Sequence, residues 1–483
     1  MPLYPGFCGP SNPSQSVQAD GERTVNWYLE RIDSAAAPAT VALYPTPGTT
    51  PLVVLPQGGV RAAWALGDRA FVVSGGGFYE ITGSWGYTLR GSVALDANPA
   101  TISYNGIAGG QLFITSGGNG YLYTLSTDTL TTVLTGEATM GGMINARFLA
   151  FNTTTGKVRM SALNDGATWD ALLYFQRTLA ADPWQAMVVA PPEIWLIGQT
   201  SGEVWYDAGA YPQPFAPIPG AFFEVGTIAP FSAGKASGAV MWLARTASGQ
   251  GQVVAARGYV PQPISNFAVE TAIGGYARTS RITDAELLTY EQDGHAFACW
   301  SFPSAGATWG FDAPMGAWHE RGTWDSGNMR YQAWSPRVHG FLFGQHVVGG
   351  RDTGTLSALD VTVGSEGGTP IRRLRIPPPL WADSPRRGVV SRLEVMAEAG
   401  LGVASGQGSD PKVMLRTSPD GKTWGPERLA SAGRMGEYGR RVFWNRLGST
   451  TKLFVPEITV SDPIPWRLSG ASVESSGFMG RSA

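Results

Sequence analysis

The residues in this chain best suited to chemistry are clustered arginines. Arg372, Arg373 and Arg375 stand in "IRRLRIP", Arg386 and Arg387 in "SPRRG", and Arg440, Arg441 and Arg446 in "GRRVFWNRLG". A guanidinium presents a planar fork that matches carboxylate or phosphate. Such clusters therefore suit a neighbouring subunit or a passing phosphate backbone, and cross-strand ion pairing on a solvent face is their plainer use. Arg372, Arg373, Arg375, Arg386 and Arg387 are the interface candidates. Other reactive types are sparse. Four histidines, His295, His319, His339 and His346, form no His-x-His or HExxH pattern, so hydrogen-bonded strand histidines are expected rather than a metal centre. Cys8 and Cys299 lie too far apart in sequence for a disulfide framework or a zinc pair. There is no Gly-x-Ser-x-Gly elbow, Walker A loop or dinucleotide fingerprint. No catalytic, metal-binding or cofactor-binding residue is expected, and no cofactor.

Gly-x-Thr-Trp occurs three times, at residues 166–169, 306–309 and 421–424. It closes the Asp-box, Ser-x-Asp-x-Gly-x-Thr-Trp, a hairpin turn in the β-propellers of sialidases and other carbohydrate-active enzymes. The copies are imperfect: residues 162–169 read Ala-Leu-Asn-Asp-Gly-Ala-Thr-Trp, and Pro419 stands where the third copy needs its Asp. Turn physics explains them without catalysis. Asp420-Gly421 supplies the positive-φ positions of a tight turn, while Trp169, Trp309 and Trp424 cover their hairpins with large apolar faces. "LRIP" at 374–377 is similar to an arginine site of sialidases, but it comes late in the chain rather than ahead of the boxes. A sialidase-like propeller that binds or cleaves carbohydrate is the alternative reading; the boxes serve first as scaffold.

The elements that carry these residues are built from short apolar runs. "RAFVVSGGGFYEI", "GQLFITSGGNGYLYTL" and "PEIWLIGQTSGEVWYD" each read as strand, Gly-rich turn, strand. Such groups recur at roughly 40 to 60 residues, the spacing of propeller blades. The fold class is all-β, a β-propeller of about six to eight blades with peripheral loops. Residues 1–40 read as an arm with one strand, 41–385 as blades with room for a small inserted β domain over 208–274, 386–475 as a blade-like C-terminal unit, and 476–483 as a tail. The best helix pattern lies over 167–182, ended by Pro183. With 35 basic against 37 acidic residues, the net charge of -2 gives no overall field for holding nucleic acid. No 18-residue apolar run and no leader pattern is visible, which points to folding where the chain is made.

The N-terminal "DGERTVNWYLER" with "PATVALYPTPGTTPLVVLPQGGVRAAWALGDRAFVVSGGGFYEI", and the C-terminal "PKVMLRTSPDGKTWGPERLASAGRMGEYGRRVFWNRLG" with "VSDPIPWRLSGASVE", resemble the tail nozzle, or packaged-DNA stabilisation (tail hub), proteins of short-tailed podovirus-type phages. The resemblance covers both ends and the length; the middle, from about 175 to 363, agrees only in being strand-rich. It implies a structural virion protein, assembled in the host cytoplasm as a homo-oligomeric, six-fold ring below the portal and adaptor. It further implies tail fibre or spike and tail needle or plug proteins as neighbours, and duplex DNA that is retained and later passes through the ring without specific binding. The family offers no catalytic residue to carry over.

Overall fold

A computed structural model describes residues 2–14, 16, 18, 21–34, 40–177, 179–245, 251–383 and 387–479. Strands make up 55% of the structure and helix 4%. Seven antiparallel blades stand out among the described residues. Six are contiguous, over residues 60–92, 101–134, 140–176, 184–223, 226–263 and 286–320. The seventh is composite: Pro336–Leu342, Gln345–Gly350 and Thr355–Asp360 are completed by Gly48–Val54, which pairs antiparallel with Thr355–Asp360. The first strands of successive blades touch around a ring, and Pro336–Leu342 packs on Val60–Leu66 to close it. A strand from before the first blade thus locks the last.

The sequences of the middle strands follow from this stacking. Each second strand is covered on both faces by the neighbouring blades, so it reads as a continuous apolar run rather than an alternating one. Examples are Arg69–Ser74, Gln111–Ser116, Glu193–Gly198 and Ala239–Arg245. A separate buried cluster fills each gap between blades, such as Phe71, Ile114 and Tyr123 between the first and second, and Trp195 and Trp242 between the fourth and fifth. Residues 208–274, where the sequence left room for an inserted unit, hold the outer strand of the fourth blade, the fifth blade and the start of a helix.

The C-terminal region is a two-sheet sandwich rather than another blade. One sheet runs Trp27–Arg31, Val41–Pro45, Leu468–Ser476, Gly388–Ala397, Val442–Thr450. The other runs Gly21–Val25, Arg373–Ile376, Leu453–Val460, Lys412–Ser418, Arg428–Ser431. The second sheet continues into the sixth blade through the parallel pairing of Val25 with Glu320. The start of the chain is therefore not an arm. Tyr4, Phe7 and Trp27 are buried with Leu393, Leu415, Ile458 and Trp466 in the sandwich core. The single strand expected in residues 1–40 is replaced by several, among them Gly21–Val25 and Trp27–Arg31, which lie in different sheets and are separated by Asn26 at φ 59°. Asn tolerates that left-handed turn. Its side-chain amide donates to the carbonyls of Gly322 (2.8 Å) and Arg372 (2.9 Å).

The helix pattern over 167–182 is not a helix; its described residues form turns and the strand Tyr174–Gln176. The one α-helix among the described residues is Phe267–Thr279, capped by Asn266, whose side chain accepts from the Val269 N–H, and it buries Val269 and Ile273 between the fifth and sixth blades. Of the tail, residues 480–483 lie outside the described residues.

Candidate functional site: the propeller–sandwich junction

Of the arginines flagged by sequence, Arg372, Arg373 and Arg375 lie in the strand Arg373–Ile376 or beside it, where the sandwich meets the sixth blade, and two of the three point inward. Arg375 is fully buried. It donates to the carbonyls of Gly6 (2.8 Å), Phe7 (2.6 Å), Gly9 (3.2 Å) and Pro10 (3.1 Å), and to Thr24 Oγ1 (2.9 Å) and Glu22 Oε2 (2.6 Å). A side chain at Gly9 would meet Glu22 Oε2 and Arg375 Nη2 within 3 Å, so any larger residue there displaces this ion pair. Arg373 is also fully buried; it donates to the Ile464 carbonyl at 3.2 Å, and burial pulls its pKa down to about 10. Neither guanidinium is presented to a neighbouring molecule, which corrects their place among the interface candidates. Arg372 lies in the seam with its side chain 16% exposed, its guanidinium 4.5 Å from the centre of the Trp324 ring. Arg387 is exposed, and Arg386 lies outside the described residues.

Glu320 is the residue that sequence reasoning missed. It sits at the end of the sixth blade and accepts from Ser11 Oγ (2.8 Å), Arg23 Nε (2.9 Å) and Arg23 Nη2 (2.6 Å). That pair holds Arg23 above the usual arginine range, chiefly through the Glu320 charge. A second joint lies nearby. His295 spans Asp312 on its own blade (2.7 Å) and Glu30 on the sandwich (3.0 Å), and these hydrogen bonds, Asp312 first, raise it to about 9. Period and spacing carry no trace of either joint, because partners some 300 residues apart share no local pattern.

The three Gly-x-Thr-Trp copies do different things. At 421–424 the turn is built around Asp420, whose carboxylate accepts from the N–H groups of Lys422 (2.7 Å) and Thr423 (2.6 Å), while Ser418 Oγ accepts from Gly421 N–H at 2.8 Å. Gly421 takes φ 74°. Trp424 is half-buried under Arg416. Trp169 is half-buried against Phe113 and donates to the Gly166 carbonyl at 2.7 Å. Trp309 lies within a strand, buried, and donates to the Tyr276 hydroxyl at 3.2 Å.

The family model described as "Bacteriophage P22 Gp10, beta-propeller" matches residues 32–364, and that described as "Bacteriophage P22 Gp10, beta-sandwich" matches residues 376–476. The chain belongs to the bacteriophage P22 Gp10 family. It is a structural protein of a phage tail, and in this Gp10-family chain the sandwich also takes in strands from before residue 32. No curated protein matches its sequence. Among solved structures, the N-terminal domain of Nup159 is similar at 8% identity and TM-score 0.40, covering 70% of this chain and 98% of that one. PorZ, a surface component of the type-IX secretion system of Porphyromonas gingivalis, is similar at 10% identity and TM-score 0.37, covering 78% and 46%. The exo-β-1,3-galactanase of Phanerochaete chrysosporium is similar at 9% identity and TM-score 0.28, covering 86% and 96%. Likenesses this distant carry no functional argument.

Among the described residues no cluster of three His, Cys, Asp or Glu could hold a metal ion, and no helix is long and apolar enough to cross a membrane. A depression of about 530 Å³ at the mouth of the propeller is lined by Glu286 and Asp284. Glu286 is clamped by Arg337 and Arg351, and Asp284 accepts from Ser304 Oγ at 2.7 Å. Cys8 and Cys299 are buried and their thiols are pushed up to about 11 by burial, so neither is a ready thiolate.

Proposed function

We propose that this protein is a tail nozzle or hub subunit that forms a closed, six-fold ring below the portal and adaptor, retaining packaged DNA and serving as the conduit for its ejection. Membership of the Gp10 family is the observation that carries this reading. Physical features support it. A propeller tied into a sandwich through one continuous sheet is a stiff wall element. A conduit must also avoid gripping DNA, since 6 to 10 phosphate contacts already give a strong, salt-dependent complex, and a net charge of -2 suits that need. The exposed arginines of the sandwich are partly committed: Arg441 pairs with Glu394 (2.6 Å), and Arg428 donates to the carbonyls of Asn445 and Arg446. Arg372 and Arg387 remain as contact residues toward neighbouring subunits, fibre or spike, and needle or plug proteins. The role is structural and not catalytic.

The test is a phage particle lacking this protein. It should package its genome and then leak it, because a gate is missing and the motor is not. Failure to package, or stable retention of DNA without the protein, would overturn the proposal.

A further inference from the structure

We propose that the cleft where the sixth blade meets the sandwich binds a carboxylate, recognised by Arg372 and Arg330 against an aromatic wall. The cavity measures about 450 Å³, within the ~300–1,000 Å³ typical of small-ligand sites. Trp309, Trp324 and Tyr331 line it. Two of its arginines are already matched, Arg23 with Glu320 and Arg416 with Glu457. Arg372 is not matched in the same way: the nearest carboxylate, Glu427, stands 3.9 Å away on a largely solvated side chain, and the Arg372 Nε is buried without a hydrogen-bond partner. At 16% exposure the Arg372 guanidinium is largely desolvated, and a 3.9 Å contact is beyond hydrogen-bond range, so its fork has no matched carboxylate. Arg330 is exposed on the rim at the start of the strand Arg330–Ala333, with no ion pair among the described residues.

The lining holds five arginines, Arg321 among them donating to the Tyr290 hydroxyl and the Pro47 carbonyl, against the carboxylates of Glu320 and Glu457, an excess of three positive charges beside flat apolar faces. A single carboxylate on a planar body fits this arrangement: its two oxygens match a guanidinium fork, and the body lies against the indole. A phosphate dianion is the competing anion, and it lacks the planar body that the aromatic wall of Trp309, Trp324 and Tyr331 would hold. The carboxylate has two sources, a free organic acid or an acidic side chain on a protein segment seated in the cleft. The recognition chemistry is the same for both.

Titration calorimetry of the full chain with benzoate, neutral benzamide, inorganic phosphate and a capped peptide carrying one Glu beside a Phe tests the assignment. Benzoate or the peptide should bind saturably, with Kd near or below about 10 mM for a ligand of benzoate's size, and benzamide about ten-fold more weakly. Tighter benzoate binding assigns a free acid, and tighter peptide binding a protein segment. Arg330→Ala, at an exposed position, should weaken binding several-fold without moving Tm, and Arg372→Lys about ten-fold although the charge is kept. The proposal falls if neither carboxylate binds, if phosphate or benzamide binds as tightly, or if both variants bind like the parent.

Discussion

Arg375 shows how a residue's chemistry was legible while its direction was not. Its fork was recognisable in "IRRLRIP", yet it is spent inside the chain on four carbonyls, Thr24 and Glu22. Arg375→Ala should cost about 3 to 5 kcal/mol, as for a broken buried ion pair, and Arg375→Lys should recover little because an ammonium lacks the fork. Urea denaturation measures both; a loss under about 1 kcal/mol for the alanine variant would show the network to be slack. The tryptophans of the repeated turn should separate by burial. Trp309→Ala should cost about 3 to 5 kcal/mol, and half-buried Trp424→Ala about 1 to 2 kcal/mol. Equal costs would mean that the turn, and not burial, sets their value.

Histidine titration is also a residue-scale matter. Because the folded pKa of His295 is raised to about 9, the stability it adds is fully present below pH 6.5 and is lost as pH rises through about 9, on the order of 3 kcal/mol. His319 and His339 behave oppositely: burial lowers them to about 3 and about 4, so what they add holds above pH 6.5 and is lost as pH falls toward those values. Unfolding midpoints across pH 4 to 10 should decline on both sides, and His295→Gln should flatten only the alkaline side. An unchanged alkaline decline in that variant would remove His295 from the account.

At the scale of elements, the hairpins were readable because a strand packed between two blades must be apolar throughout, as "FVV" and "IWLI" show. The helix Phe267–Thr279 was hidden by Gly274 and Gly275 in its interior, which lower its propensity; packing of Val269 and Ile273 restores it. The sandwich was hidden for another reason, since its sheets draw on both ends of the chain. A fragment of residues 373–479 lacks Trp27–Arg31 and Val41–Pro45 from one sheet, Gly21–Val25 from the other, and Tyr4 and Phe7 from the core. It should fail to fold alone and recover when residues 2–45 are supplied in the same polypeptide. A cooperative unfolding transition of the fragment by itself would contradict that dependence.

For the whole molecule, spacing bounded the blade number at six to eight and the structure gives seven among the described residues. Sequence could not count them because the last blade borrows Gly48–Val54 and the inner position of the fifth is shared by the short strands Gly226–Thr227 and Gly234–Ala236. If the ring encloses duplex with a near-neutral or acidic wall, the free protein should bind duplex DNA more weakly than about 10⁻⁶ M at physiological salt. Tighter binding in a filter or anisotropy assay would contradict a non-gripping conduit. The central claim, a closed ring of this chain around the genome's path, is tested most directly by imaging the virion tail at a resolution that separates subunits. The account predicts a cyclic, six-fold ring of this protein below the adaptor with an open axial passage; single copies, an open helical array, or a ring without an axial passage would contradict it.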